Sequence, residues 1–249
     1  MKVINASHAT PVMRKVAYTA CVLLLGFAAA TAAAGDQPAA HRVLPEAEWD
    51  RIDAALQRAV TWIVAQQQRD GSFETVAHGQ PGITSLCTMA LLSQGHLAGE
   101  GPYGKHLDRA LDFILASQRS NGLVARHAHD GPLERRAMDH EIGVSAVYNH
   151  AISSLLLTEV YAMAPGEKSQ QIELVVNRAL AATLAHQQWE KPRPVDTGGW
   201  RYLHPFMNRE ADLSIAGWQL KFLRSAKNAG FNVPQGAIDQ AVGYVLRCF

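Results

Sequence analysis

The chain has 249 residues, 48% of them hydrophobic and 18% charged: enough apolar content for a core, and too rich in Leu, Ile, Val and Trp for a disordered polymer. Its 23 basic and 22 acidic side chains leave a formal charge of +1 without a basic stripe or arm, which argues against a nucleic-acid partner. Three cysteines with no CxxC pair can neither staple a chain of this length nor build a cysteine-based zinc site.

Residues 1–34 read as a secretory signal peptide. Arg14-Lys15 is a short basic patch, residues 16–30 form a continuous apolar run, and Ala32-Ala33-Ala34 supplies a small-residue cleavage site. Met13 is an alternative start. A retained membrane anchor is the competing reading, weakened by an apolar core that is short for a span. Cleavage after Ala34 implies export to the periplasm or the outside, and no stable membrane span in the remaining chain. The removed segment carries Lys2, Arg14 and Lys15 and no acid, so the charge falls from +1 to −2. Cys87 and Cys248 remain. They could form one bridge in an oxidising compartment, but Cys87 sits in a helical apolar run and reads better as a small buried residue.

Residues 35–45 form a linker rich in Ala, Pro, Gln and His. From Glu46 onward apolar residues recur at helical spacing, as in Ile52, Leu56, Val60 and Ile63. Arg69-Asp70-Gly71-Ser72 closes this helix as a glycine turn. A second apolar run covers Thr84 to Leu92. A shift of 51 residues places Ala59, Trp62, Ile63, Ala65, Gln67 and Gly71 on Ala110, Phe113, Ile114, Ala116, Gln118 and Gly122. A further shift of 69 places Gln118 on Gln187, and here the glycine turn comes later, at Gly198-Gly199-Trp200. Each turn is followed by another apolar helix, the later two being expected over His150 to Tyr161 and Leu213 to Leu223. The unit is thus helix, glutamine, glycine turn, helix. It recurs over about 48–97, 105–163 and 169–229, with a half repeat over 235–249, inside one domain spanning 46–249. Such αα-hairpins bury one face against their neighbours. The class is all-α, and the irregular periods leave a helical solenoid or a closed α/α toroid.

The segments AVTWIVAQQQRDGSF, ALDFILASQRSNGL and ALAATLAHQQWEKPRPVDTGGW resemble the prenyltransferase and squalene-cyclase repeat. DTGGWRY followed by DLSIAGWQLKFLRSAKNAG is similar to uncharacterised secreted bacterial members of that superfamily. The resemblance covers residues 50–249. It implies an α/α toroid whose inner helices line a central cavity, here partial or truncated because only three and a half hairpins are present. An open arc would expose the apolar side of its last helix, which favours a chain whose remaining hairpins are missing.

The resemblance also implies chemistry to look for. Protonating cyclases of the superfamily carry Asp-x-Asp-Asp, in which an acid kept dry and protonated gives its proton to an alkene. The counterpart here is Asp212-Leu213-Ser214-Ile215, one acid without a partner, and Asp212 reads as a helix N-cap. Protein prenyltransferases hold zinc with Asp, Cys and His, and neither Cys87 nor Cys248 has that company. His127, His129 and His140, with Asp130, Asp139 and Glu141, have the residue types for a divalent ion but read better as a solvated loop with helix caps. His150 opens the next apolar helix and reads as a satisfied structural histidine, the alternative being a catalytic one on an inner helix that faces the cavity.

Trp62, Phe73, Phe113, Trp200 and Trp218 are expected to plug repeat junctions together with Gln67, Gln118 and Gln187. Trp200, Tyr202 and Trp218 could instead line a cavity for an apolar or glycan ligand. Lys221, Arg224 and Lys227 read as a solvated face. The ligand-cavity candidates are therefore His150, Trp200, Tyr202, Asp212 and Trp218, with no catalytic residue, metal or cofactor assigned. The expected function is an exported, non-catalytic binding or scaffold module that takes an apolar or polymeric ligand on a concave face. The alternative is a terpenoid-cyclase or lyase type enzyme whose catalytic residues lie in a missing C-terminal half.

Overall fold

The computed structural model describes residues 44–133, 139–204 and 210–249. The expected signal peptide and most of the linker lie outside the described residues. Seven α-helices are present among these residues: α1 (Glu46–Ala65), α2 (Gly82–Ser93), α3 (Gly104–Leu115), α4 (His140–Tyr161), α5 (Gly166–Gln187), α6 (Leu213–Asn228) and α7 (Gln235–Leu246). Short 3-10 turns cover Ala77–Gly79 and Pro194–Asp196. The only β pairings among the described residues are two isolated bridges, Gln67 with Phe73 and Gln118 with Val124. The fold is all-α. Residues 57–249 form one compact unit; the first unit, residues 1–56, contributes the opening turns of α1 to the described structure.

Within residues 57–249, α4 packs against α2, α5 and α6, while α3 packs on α2 and α5 and α7 packs on α6. The sequence explains this division. In α3, Leu107, Ala110, Leu111 and Ile114 fall at helical spacing and are all buried, giving one apolar face. In α4, Val147, Ala151, Ile152, Leu156, Leu157 and Val160 alternate with buried Ser153, Ser154 and Thr158. Burying a hydroxyl costs free energy unless it finds a partner, and two of these three do so across helices. Accordingly Ser85 donates to Ser153 at 2.7 Å, and Thr158 donates to Ser225 at 2.8 Å. These bonds knit α4 to α2 and to α6.

The helix expected from His150 in fact begins ten residues earlier, at His140. Asp139 caps it by accepting the backbone N–H groups of Glu141 and Ile142. The apolar spacing already runs through Ile142, Ala146 and Val147, so the cap and not the apolar run sets the boundary.

Three glycine turns, each joined to a later helix, share one geometry. Gln67 Nε2 donates to Gly71 O at 3.0 Å and to His106 O at 2.8 Å. Gln118 Nε2 donates to Gly122 O at 3.1 Å and Val175 O at 2.8 Å. Gln187 Nε2 donates to Gly198 O at 3.0 Å and Ala237 O at 2.9 Å. Each glutamine thereby ties its own glycine turn to a later helix: α3, α5 and α7 in turn. The turn glycines are required at these places. Gly71 has φ +92°, and a Cβ there would lie 2.1 Å from Arg109 O; Gly198 has φ +86°, and a Cβ would lie 2.2 Å from Gln240 O. The backbone of the turn lies directly against the following helix.

Candidate functional site

The residue two places after each turn glycine enters the core: Phe73, Val124 and Trp200 are all buried. At the first junction the Phe73 N–H donates to Thr84 Oγ1 at 3.0 Å. At the second, the Val124 N–H donates to His150 Nδ1 at 3.1 Å, so Nε2 carries the imidazole proton and donates to Thr183 Oγ1 at 2.8 Å. Thr183 Oγ1 in turn donates to Gln219 Oε1 at 3.1 Å, and Thr183 O accepts from Trp200 Nε1 at 2.9 Å. Burial pushes the His150 imidazole down to about 4. His150 and Trp200 thus converge on Thr183 in the interior.

Tyr202, Asp212 and Trp218 stand elsewhere. Asp212 is the N-cap of α6: its Oδ1 accepts from Ser214 N at 3.0 Å and Ile215 N at 3.2 Å, and its Oδ2 accepts from Arg201 Nη1 at 2.8 Å. Both carboxylate oxygens are engaged as acceptors. The Arg201 guanidinium also lies 4.2 Å above the Tyr202 ring. Trp218 is half-buried, with Lys221 Nζ 4.4 Å from its ring centre. Lys221, Arg224 and Lys227 are exposed. Of the junction aromatics, Phe73, Phe113 and Trp200 are buried, but Trp62 is 65% exposed. Among the described residues no glycine turn precedes α1 to cover Trp62.

The expected histidine loop divides. His127 and His129 are exposed, Asp130 pairs with Arg119, and Glu141 lies 3.3 Å from His78. His140 stacks on His204, with ring centres 4.7 Å apart and Nδ1 2.8 Å from His204 Nε2. Burial, with help from His140 and Arg201, holds the His204 imidazole below its ordinary range. Among the described residues no group of three or more His, Cys, Asp or Glu is arranged to hold a metal ion. Cys87 and Cys248 are free thiols, and burial pushes the Cys87 thiol up.

Two cavities among the described residues bear on the candidates. An apolar one of about 310 Å³ is lined by Trp62, Ile63, Phe73, Ile83 and Cys87. A larger polar groove of about 460 Å³ opens at the third junction, between Arg193, Asp196, Arg201, Asp212, Tyr244 and Arg247. Its size suits a small ligand. Asp212 and its partner Arg201 therefore belong to a groove that the sequence reading did not anticipate. Arg193, Asp196, Tyr244 and Arg247 were missed altogether. A signal for them was present: four residues separate Gln67 from Gly71 and Gln118 from Gly122, but eleven separate Gln187 from Gly198. The longer segment supplies Arg193 and Asp196.

The groove is held open by specific contacts. Arg247 Nε donates to Val195 O at 3.3 Å, and its Nη2 donates to Thr197 O, strapping the longer segment to the end of α7. Asp196 is buried and accepts the Glu210 N–H at 3.0 Å. Burial is the main cause pushing the Tyr244 hydroxyl up, reinforced by Cys248, Asp196 and Asp212, so the ring stays neutral in the wall of the groove. No protein-family model, curated protein or solved structure matches this chain.

Proposed function

We propose that this chain is an exported binding module of the prenyltransferase and squalene-cyclase repeat type, acting without catalysis and taking its ligand in the polar groove of the third junction. One observation carries the non-catalytic part. Asp212, the single counterpart of the cyclase acid, has Oδ1 bound by two backbone N–H groups and Oδ2 bound by Arg201. A general acid must present a proton to its substrate, and this carboxylate instead caps a helix and positions a guanidinium. The recurring glutamine–glycine junctions support the repeat assignment. Among the described residues no helix is long and apolar enough to cross a membrane, in keeping with a chain released after cleavage.

Two measurements test this reading. N-terminal sequencing of protein recovered outside the producing cytoplasm is expected to start at Gly35, and recovery of the uncleaved chain from the cytoplasm alone would contradict export. A small-molecule screen by thermal unfolding is expected to find stabilising ligands that the protein leaves chemically unchanged. Conversion of a polyprenyl substrate, abolished by Asp212→Asn, would contradict the non-catalytic reading.

A further inference from the structure

The polar groove has a counterpart inside the same molecule, and the two differ in charge and in filling. At the first junction the equivalent cleft is about 220 Å³, and Asp70, Glu74, Gln80, Phe113 and Arg126 are among its lining residues. Gln80 fills the space beneath it, its Nε2 donating to Phe73 O at 2.6 Å and its Oε1 accepting from Thr84 at 2.8 Å. At the third junction Trp200 O instead accepts the Asp212 backbone N–H at 2.9 Å, and the small Ala211 lines the space. Phe113 gives way to Tyr244. Three residues after the turn glycine stands Glu74 in one cleft and Arg201 in the other. The groove is the same inter-hairpin cleft, enlarged and reversed in charge at its inner position.

Its lining sets three guanidinium groups against two carboxylates. Both carboxylates are committed to the protein. Asp212 accepts three hydrogen bonds, and Asp196, with its side chain 5% exposed, accepts the Glu210 N–H while Arg193 Nε lies 3.8 Å away. The guanidiniums are positioned differently. Asp212 fixes Arg201, the carbonyls of Val195 and Thr197 fix Arg247, and Arg193 stands half-exposed at the rim. Guanidinium forks held in a fixed arrangement match the paired oxygens of carboxylate and phosphate groups.

We propose that the third-junction groove binds a small molecule through an oxyanion group, a carboxylate or a phosphate, held by Arg193, Arg201 and Arg247. This rests on the binding-module reading and names its ligand class. The first-junction cleft, with Asp70 and Glu74 facing Arg126, serves as the internal counter-example.

The test uses the full chain, with inorganic phosphate and citrate as separate probes, glucose as a neutral probe, and sodium chloride to hold ionic strength constant. Thermal unfolding and titration calorimetry are the readouts. Phosphate or citrate is expected to give a saturable rise in Tm and a measurable heat of binding, and which of the two acts at lower concentration separates phosphate esters from organic acids. Arg193→Gln, at an exposed rim position, is expected to weaken binding at least tenfold, and Arg247→Gln likewise. Arg58→Gln, on the exposed face of α1, should leave it unchanged. A rise in Tm that is linear in anion concentration and identical in all variants reflects exclusion of the salt from the protein surface and overturns the proposal. Saturable glucose binding that is lost in Arg193→Gln, without a matching anion response, overturns the oxyanion class but leaves the binding module standing. No binding of these probes, together with no stabilising ligand in the broader screen, overturns both.

Discussion

The first and third junctions are built on the same frame, and the cleft at one is about half the size of the cleft at the other. In both, a glutamine amide bridges a glycine turn to a later helix, and the glycine backbone lies against a helix carbonyl. At the first junction Arg109 Nη2 donates to Gln67 Oε1 at 2.7 Å, and Gln80 narrows the cleft from beneath. At the third junction Gln187 is fully enclosed, its Oε1 has no hydrogen-bond partner among the described residues, and the cleft beside it is a 460 Å³ groove. Side chains that reach into a junction narrow its cleft. The wider groove lies beside a longer segment, here containing Pro192, Pro194 and the 3-10 turn Pro194–Asp196. Binding space can thus arise at a single junction while the shared frame stays intact.

The most severe way to break this comparison is to put a side chain on the frame itself. Gly71→Ala and Gly198→Ala each force a Cβ into a helix carbonyl at positive φ, and each is expected to cost about 4 kcal/mol in urea denaturation. Similar losses at both sites would establish that the junctions are mechanically equivalent. A marked difference would mean that the open groove lets the third turn relax.

The next largest effect comes from the second junction, where a titratable side chain does the work of Thr84. His150 is held near 4 against an ordinary value of 6.5. Between those values the unfolded chain binds a proton that the folded one does not. Stability is therefore fully present above about pH 6.5 and falls as the pH drops toward 4, by roughly 3 kcal/mol. Below pH 4 this contribution levels off. Urea midpoints measured at pH 7.5, 5.5 and 4 would follow the decline, and His150→Gln should flatten the part that His150 causes. Burial lowers His106 and His204 in the same direction, so a residual slope is expected in the variant.

Gln187→Ala and Gln67→Ala sharpen the contrast between narrow and wide clefts. Gln187→Ala leaves the buried Gly198 carbonyl without its donor and removes a second hydrogen bond from the helical Ala237 carbonyl, and is expected to cost about 2 kcal/mol, whereas Gln67→Ala, at a part-buried site, is expected to cost about 1 kcal/mol. Equal losses in denaturant titrations would show that enclosure does not set the value of the bridge. Arg193→Gln is the smallest perturbation. Half-exposed at the rim, it should change unfolding stability by less than about 0.5 kcal/mol while weakening anion binding. That separation would show that the groove is tuned independently of the frame.

Much of the frame was legible in the sequence because its signals are local. Apolar residues at helical spacing marked α3 and α6, and Asp212 before an apolar run marked a cap. The recurring Gln and Gly marked the turns. The helix start at His140 was missed because Asp139 follows a polar stretch that reads as loop, and only the hydrogen bonds to Glu141 and Ile142 identify it as the cap. The exposure of Trp62 was missed for a different reason. Phe113, which a shift of 51 residues places on it, is 5% exposed beside the turn that precedes it, and among the described residues no such turn precedes Trp62. The aromatic residue was readable, but its cover was not.

The sequence by itself determined the helices, the glycine turns and the glutamines that bridge them, because backbone conformation, amphipathic period and a short polar tether act over a few residues. Only the tertiary structure decided that Arg201 reaches Asp212 eleven residues away, that Arg247 straps a segment some fifty residues before it, and that Ala211 leaves wide a cleft that Gln80 narrows elsewhere. Those outcomes depend on which side chains meet across a junction, and that meeting is set by packing between helices far apart in the chain.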